Sequence, residues 1–204
     1  MKSERSILNL ILATVALFVF SAPQAIMAGE TQVTKDLKQT IDQVIEIVND
    51  EKLKQDPKAR RELLRDTINE RFNYNQMAVR ALAENWNPRT PEERKEFTEM
   101  FQKLLERSYA KKIETFGSGK VDYKDEVIKG KYAMVKTTVE QRGKSVSLDY
   151  KLIQENGEWK VYDFVVKGVS VIRNYRNQFS KTLKNQSFSE LMKKMEATEE
   201  ENTI

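Results

Sequence analysis

The stretch that decides the fold is KSVSLDYKLIQENGEWKVYDFVVKG, residues 144–168. Apolar and polar residues alternate along its first half, which is the period of a β-strand with one buried face. Asn156-Gly157 then marks a tight hairpin turn, because both residues tolerate the positive φ angles that such a turn needs. The stretch therefore predicts two antiparallel strands, at about 144–153 and 158–167.

The two predicted strands differ in the polarity of their faces. The first has one apolar face, formed by Val146, Leu148, Tyr150 and Leu152, and a polar face formed by Ser147, Asp149 and Lys151. The second is apolar on both faces, with Trp159, Val161 and Val165 on one and Tyr162, Phe164 and Val166 on the other. We therefore expect the second strand to be covered on both sides.

Two further strands precede this pair, at about 120–128 and 131–140. Lys129-Gly130 and Arg142-Gly143 provide the short turns between the strands, and connections this short join antiparallel neighbours. The predicted fold class is therefore α+β, with a four-stranded twisted antiparallel sheet packed by N-terminal and C-terminal helices.

Helices are predicted before the sheet. Asp56-Pro57 is an N-cap followed by proline at the first helical position, and a short helical segment is expected through Met77 to Trp86. Thr90-Pro91-Glu92-Glu93 has the pattern of a capping box. It opens a long helix with a broad apolar stripe, which Gly117-Ser118-Gly119 ends. The first helix carries a stripe at spacings of three and four, formed by Leu37, Ile41, Val44, Ile45 and Val48.

Two more helices are predicted after the sheet. Gly168 turns the chain, Ser170 caps one helix, and Ser187 with Glu190 forms a capping box for the next. No repeat or low-complexity linker interrupts the chain. We expect a single domain over 29–204, with a helical part at about 29–117, a sheet with closing helices at about 118–197, and an acidic tail at 198–204.

The first 28 residues have the layout of a secretory signal peptide. Lys2 and Arg5 form a positive start, an apolar run follows from Ile7 to Phe20, and small residues lead to a predicted cleavage site after Ala28. The apolar run is short for a membrane-spanning helix, which needs about 20 residues. We therefore expect an exported protein whose mature chain begins at residue 29.

Composition excludes several classes of chemistry. The 204 residues contain neither cysteine nor histidine, so disulfides, thiolate metal sites and Ser-His-Asp catalysis are absent. Acidic and basic residues are interleaved around a net charge of +4, which does not indicate nucleic-acid binding. We expect no cofactor and no metal.

Catalysis by carboxylates and tyrosines alone remains an open possibility from the residue types. The candidates on predicted strands are Asp149, Asp163, Tyr150 and Tyr162. Asp163 lies on the face of Trp159 and Val161, and the favoured interpretation is a structural hydrogen bond to a turn or a helix end. Nothing pairs with it at a catalytic spacing, so we do not expect an enzyme.

The run WKVYDFVVKGVSVIRNYRNQF, residues 159–179, closely resembles the signature of the MlaC family of periplasmic phospholipid-binding proteins. Residues 72–78 and 82–86 resemble two further family elements, and the helix that begins at Thr90 resembles a third. Two positions depart from the family pattern: Asn73 stands where the family usually has Asp, and Ala83 where it usually has Gly. The resemblance runs over nearly the whole mature chain.

The resemblance implies a fold that is NTF2-like in outline and a function as a soluble phospholipid carrier in the periplasm. It implies two partners, an outer-membrane lipoprotein complex and an inner-membrane MCE-domain protein with an ABC transporter, and we expect a monomer. A chaperone-like module for apolar segments is the alternative, and a small-molecule isomerase is the third hypothesis.

A carrier of this kind needs an apolar slot between sheet and helices, where acyl tails insert. The candidate wall residues are Phe72, Met77, Leu82, Phe97, Phe101, Leu105, Val135, Val146, Leu148, Tyr150, Tyr175 and Phe179. The alternative for each is an ordinary core position. Arg176 is a candidate for the phosphate at the mouth, with a structural ion pair as the favoured alternative.

Overall fold

The computed structural model describes residues 31–115, 119–141 and 143–201. Residues 1–30, 116–118, 142 and 202–204 lie outside these ranges, among them the predicted signal peptide and the predicted end of the long helix at Gly117-Ser118. The helices are α1 (Gln32–Asn49), α2 (Glu51–Gln55), α3 (Pro57–Arg71), α4 (Tyr74–Leu82), a 3-10 turn (Ala83–Trp86), α5 (Pro91–Glu114), α6 (Val171–Leu183) and α7 (Phe188–Glu201). In these ranges, no helix combines the length and hydrophobicity that crossing a bilayer requires.

The helix starts follow the predicted capping chemistry. Thr90 Oγ1 accepts from the backbone N–H of Glu93, and the Glu93 carboxylate accepts from the N–H of Thr90, which completes the capping box of α5. Asp56 caps α3 ahead of Pro57, and Ser170 caps α6. The short helix α2 was not predicted. It is capped by Asp50, whose carboxylate accepts from two backbone N–H groups.

The sheet has five strands rather than the predicted four. They are β1 (Lys120–Lys129), β2 (Tyr132–Gln141), β3 (Lys144–Glu155), β4 (Glu158–Val166) and β5 (Val169–Ser170), in the antiparallel order β1-β2-β3-β4-β5. Lys167 and Gly168 both have positive φ, which folds the chain back so that β5 pairs with the end of β4. A two-residue strand is too short to show an alternating pattern.

A β-bulge in β4 makes the two faces of that strand differ from the predicted ones. Leu152 pairs with Val161 and Tyr150 pairs with Phe164, so one extra residue lies between the two pairs on β4. Because Tyr150 and Leu152 share a face of β3, Val161 and Phe164 share a face of the sheet. The prediction had placed them on opposite faces, since strict alternation does not foresee a bulge. We call the face that contains Tyr150 and Phe164 the inner face.

Asp163 lies on the opposite, outer face and has the structural role that was favoured for it. Its carboxylate accepts from Lys151 Nζ at 3.0 Å, from Ser170 Oγ at 2.7 Å and from the backbone N–H of Ile172 at 3.1 Å. Asp163 is 4% exposed, so these three donors replace its hydration. The contacts fasten the N-terminus of α6 to β3 and β4.

The main core lies between the helices and the inner face. Helix α4 packs against α5 and α6, and α5 packs against α7. Helices α1 and α3 pack against each other, and α1 is fastened to β1 because Thr31 and Thr34 donate their hydroxyl protons to the Glu126 carboxylate. The helices thus pack over the inner face of the sheet and leave part of it accessible to water.

Candidate functional site

The structure divides the twelve predicted wall residues into two groups. The first group is fully covered by protein and consists of Met77, Leu82, Phe97, Phe101, Leu105, Val135 and Phe179. The second group retains accessible surface and consists of Phe72, Val146, Leu148, Tyr150 and Tyr175. For all twelve residues, contact with lipid stays a prediction.

The first group is centred on an aromatic cluster between α5 and α6, which we call the phenylalanine core. Phe97 stacks on Phe101 with ring centroids 5.7 Å apart, and Phe179 meets both rings edge-on at 5.7 and 5.6 Å. Tyr175 meets Phe101 at 5.2 Å and forms the edge of the cluster. Phe97 and Phe101 are 0% exposed, so their surroundings are those of a close-packed interior.

Most of the second group belongs to an apolar surface that we call the aromatic cleft, formed by Phe72, Tyr74, Tyr109, Val146, Leu148, Tyr150, Phe164 and Val166. Tyr109 meets Phe164 at 4.9 Å, and Phe72 lies 6.3 Å from both Phe164 and Tyr74. Strand pairing places Tyr150 opposite Phe164. Each member is partly exposed, which contrasts with the complete burial of the phenylalanine core.

Local structure explains how Phe72 reaches the sheet. Phe72 ends α3 in an extended conformation, and the backbone N–H of Asn73 donates to the carbonyl of Val161 at 2.8 Å. Asn73 also caps α4 through its Oδ1, while its Nδ2 donates to Glu155 at 2.7 Å. Aspartate, the usual family residue here, could cap the helix but could not donate to Glu155.

The phenols of the cleft are desolvated. Burial raises the pKa of Tyr150 above its ordinary value, and burial together with the nearby Glu106 carboxylate raises the pKa of Tyr74. Burial, with a smaller contribution from Tyr175, raises the pKa of Tyr109 to about 12. The three phenols stay neutral at physiological pH.

The two ends of the cleft carry different charges. Beside Tyr109, the ammonium of Lys112 lies 4.5 Å from the ring centroid. At the other end, a pocket of about 220 Å³ opens between the cleft and the β3–β4 turn, and is lined by Phe72, Asn73, Tyr74, Glu155, Asn156, Glu158 and Lys160. This volume is below the ~300–1,000 Å³ typical of ligand pockets.

The described residues offer little for catalysis or metal binding. Asp163 is committed to three structural hydrogen bonds, and no group of three or more acidic residues that could hold a metal ion occurs in the described ranges. Arg176 is exposed on α6. The favoured prediction was an ion pair with an acid, but no described residue forms an ion pair with Arg176.

Sequence reasoning missed four members of the cleft, namely Tyr74, Tyr109, Phe164 and Val166. Tyr109 was assigned to the apolar stripe of α5, and Phe164 was assigned to the face opposite Val161. No local signal distinguishes them from core residues, because their partial exposure depends on which other elements pack against them. The bulge that brings Phe164 opposite Tyr150 is likewise absent from the residue pattern.

Comparison with known proteins agrees with this architecture. The sequence profile of the MlaC protein family matches residues 38–197. The intermembrane phospholipid transport system binding protein MlaC of Haemophilus influenzae is 27% identical over 154 residues, which cover 72% of each chain.

A solved structure shares the fold. The phospholipid-binding protein of Ralstonia solanacearum, determined in complex with a phospholipid, superposes with a TM-score of 0.78 at 23% identity. The match covers 85% of this chain and 100% of that protein. Because the family profile extends over most of the chain, including all five strands, α6 and most of α7, this chain belongs to the MlaC family.

Proposed function

We propose that this protein is a phospholipid carrier of the periplasm, which holds acyl tails in the aromatic cleft and exchanges lipid with membrane complexes. The single observation that carries the proposal is the partly exposed apolar lining of the inner face, in a chain that belongs to the MlaC family. The names of the Haemophilus and Ralstonia proteins, one a transport binding protein and one bound to a phospholipid, support the same cargo.

The lining suits the physical task of a lipid carrier. Each methylene withdrawn from water contributes about 0.8 kcal/mol, so a carrier needs a long apolar surface and no reactive group. Phe72, Leu148 and Phe164 supply such surface. The neutral phenols of Tyr109 and Tyr150 add polar atoms without a buried charge.

The layout of the first 28 residues supports one finer part of the proposal, and family membership supports the others. Residues 1–28 act as a cleaved signal peptide, and residues 29–204 form the mature carrier. It receives and delivers lipid at an outer-membrane lipoprotein complex and at an inner-membrane MCE-domain protein with an ABC transporter. The carrier performs no chemical reaction on its cargo.

Native mass spectrometry tests the proposal directly. The mature protein is purified from the periplasm without detergent, and any bound mass is extracted for lipid analysis. We expect a stoichiometric mass that extracts as phospholipid. A protein that is purified empty and also fails to take up lipid from vesicles of phosphatidylethanolamine and phosphatidylglycerol would contradict a carrier and favour the chaperone-like alternative.

A further inference from the structure

We propose that the end of the β1–β2 hairpin, residues 127–132, docks the protein on the surface of an anionic lipid bilayer. We call these six residues the hairpin tip. Its apolar side chains enter the interface, and the ammonium groups of Lys129 and Lys131 contact anionic head groups. This inference goes beyond the proposed function, because it concerns how the protein meets a membrane and not what the aromatic cleft holds.

The first observation is a concentration of exposed apolar surface at the hairpin tip. Among the described residues, five large hydrophobic side chains are exposed, and three of them, Val127, Ile128 and Tyr132, belong to the tip. Their exposed fractions are 39%, 45% and 39%, and the other three tip residues are exposed as well. Single exposed hydrophobic residues are ordinary, whereas a cluster of them marks an interaction site.

The second observation is positive charge without a counter-ion. Lys129 and Lys131 flank Gly130 at the turn, and the tip contains no acidic residue. Neither ammonium forms an ion pair within the part of the chain that the structure describes. The ammonium of Lys131 lies 5.7 Å from the centroid of the Tyr132 ring. The tip therefore presents two cations beside apolar side chains.

The acidic residues of β1 near the tip are bound by other parts of the protein. The Asp125 carboxylate lies 2.9 Å from Lys136 Nζ, and the Glu126 carboxylate accepts from the hydroxyls of Thr31 and Thr34. Glu126 is three residues from the first lysine of the tip, which is about 10 Å along a strand. This distance is close to the Debye length at physiological salt, so the carboxylate weakens the field of the tip only slightly.

The β3–β4 turn lies at the same end of the sheet, and its acids are also bound. Glu158 lies 2.7 Å from Lys160 Nζ. The Glu155 carboxylate accepts from the side-chain amides of Asn73 and Gln76, both at 2.7 Å, which directs it towards the start of α4. The ammonium groups of the hairpin tip therefore remain available to an anionic surface.

The outer face behind the tip continues the same chemistry. The Tyr132 ring meets the Tyr162 ring edge-on at 6.0 Å, and the guanidinium of Arg80 lies 4.2 Å from the centroid of the Tyr162 ring. Tyrosine, lysine and arginine all combine an apolar body with a polar end. Such side chains favour the boundary between head groups and acyl chains, where each part finds its preferred surroundings.

The shape of the tip favours a bilayer over a protein partner. Amphipathic segments lie ~5–10 Å deep in the head-group region, and Val127 is about 10 Å along the strand from Gly130. A standard protein interface engages ~20–30 residues from each partner, whereas the tip has six. Pairing of the edge strand β1 with a second copy is disfavoured by its exposed charges, such as Lys124 and Asp125.

Co-sedimentation with vesicles tests the docking. The mature protein is mixed with sucrose-loaded vesicles of phosphatidylcholine, either alone or with an equal share of phosphatidylglycerol. We expect binding to the anionic vesicles to be roughly tenfold tighter or more, and to weaken in high salt. Wild-type protein that stays in the supernatant with anionic vesicles, or that binds both kinds equally, would overturn the inference.

Charge-neutral substitutions locate the contact. Lys129→Gln and Lys131→Gln should each weaken binding to the anionic vesicles about fivefold, because each removes one cation near the surface. Lys144→Gln is the matched control, since Lys144 is exposed beside a glycine turn at the opposite end of the sheet. Equal losses in all three variants would show that only the net charge matters, and would overturn the role of the tip.

Site-specific labelling tests insertion independently. The chain has no cysteine, so Ile128→Cys and Lys144→Cys each provide a single position for a nitrobenzoxadiazole label. We expect the label at residue 128 to become brighter on anionic vesicles, because it moves from water into the interface. The label at residue 144 should not change. An unchanged label at residue 128 would contradict insertion of the tip.

Leu148→Asn separates docking from cargo binding. This substitution lies in the aromatic cleft and should lower lipid occupancy, yet the variant should sediment with anionic vesicles as the wild type does. If it stays in the supernatant, the vesicle contact belongs to the cleft and the inference is wrong. The lysine variants should keep wild-type lipid occupancy in native mass spectrometry, because docking does not change the equilibrium within the cleft. Protein that docks but never holds lipid would contradict the proposed function alone.

Discussion

The phenylalanine core and the aromatic cleft are made of the same residue types but differ in packing. In the core, rings from α5 and α6 meet one another and are fully covered. In the cleft, rings from α3, α5 and β4 meet in a line, and each keeps accessible surface. The difference indicates that one region supplies stability, whereas the other leaves apolar surface accessible, where we propose that lipid binds.

Truncation in the phenylalanine core should give the largest loss of stability. Phe101→Ala removes a ring that contacts Phe97, Tyr175 and Phe179. The lost burial and the resulting cavity should lower the free energy of unfolding by about 3–5 kcal/mol, as measured by urea denaturation. Leu63→Ala is the control, because Leu63 is 45% exposed and should change stability by no more than about 0.5 kcal/mol. Equal losses would contradict the division into two regions.

Loss of the Asp163 carboxylate should cause the second-largest decrease in the free energy of unfolding. Asp163→Ala leaves the Ser170 hydroxyl and the Ile172 N–H without their buried acceptor, and it removes the partner of Lys151. We expect a loss of about 2–3 kcal/mol in the free energy of unfolding. Lipid uptake per folded molecule should be unchanged, since the network lies on the outer face. A variant with wild-type stability would show that the network does not fasten α6.

A polar substitution in the cleft should affect lipid binding more than stability. Leu148→Asn places an amide among the partly exposed residues of the inner face, and we expect a stability loss below about 1.5 kcal/mol. Lipid occupancy should fall about tenfold or more, because an unpaired amide among acyl chains is costly. Val127→Asn on the edge strand β1 is the matched control, and it should leave occupancy intact. Similar occupancy in both variants would argue against the cleft as the binding surface.

The desolvated phenol of Tyr109 predicts a pH dependence above pH 10. Its pKa is about 12 in the folded protein and about 10 in an unfolded chain. The unfolded state therefore loses its proton first, so the contribution of Tyr109 to stability is complete below pH 10 and decreases as pH rises towards 12. Tyr109→Phe should make the decline over this interval shallower in urea titrations. An unchanged slope would show that Tyr109 is solvated.

Relief of backbone strain should give the smallest effect, and in the opposite direction. Ala83 ends α4 with φ of 51° and ψ of −121°, a conformation that glycine adopts far more easily. Ala83→Gly should raise the free energy of unfolding by about 1 kcal/mol. Ala81→Gly is the control within the same helix and should lower it by about the same amount or more. Destabilisation by both variants would show that the backbone at Ala83 is not strained.

Local signals predicted most of the secondary structure because they act within a few residues. Asn156-Gly157 predicted the β3–β4 hairpin, and Thr90 to Glu93 predicted the start of α5, and both are confirmed. The strand β5, by contrast, depends on a two-residue turn at Lys167 and Gly168. The bulge in β4 depends on pairing with β3. Neither leaves a periodic pattern in the chain.

The candidate site was predicted only in part, for a related reason. The twelve wall residues were selected as large apolar residues on inward faces, and seven of them are fully covered core residues. Apolar character specifies that a residue avoids water, but not whether protein or a ligand covers it. The rings of Tyr109 and Phe164 meet at 4.9 Å although they lie on α5 and β4, and no spacing within either element specifies that contact.

The sequence by itself determined most of the elements, their order and the family, because caps, turns and alternation are encoded within short segments of the chain. Only the tertiary structure decided which aromatic rings are packed and which remain accessible, and which charged side chains of distant helices pair with one another. Those properties depend on distances between segments far apart in the chain, such as 53 residues between Arg61 and Glu114. Residue patterns do not record such distances, because side-chain packing is settled only when the elements come together.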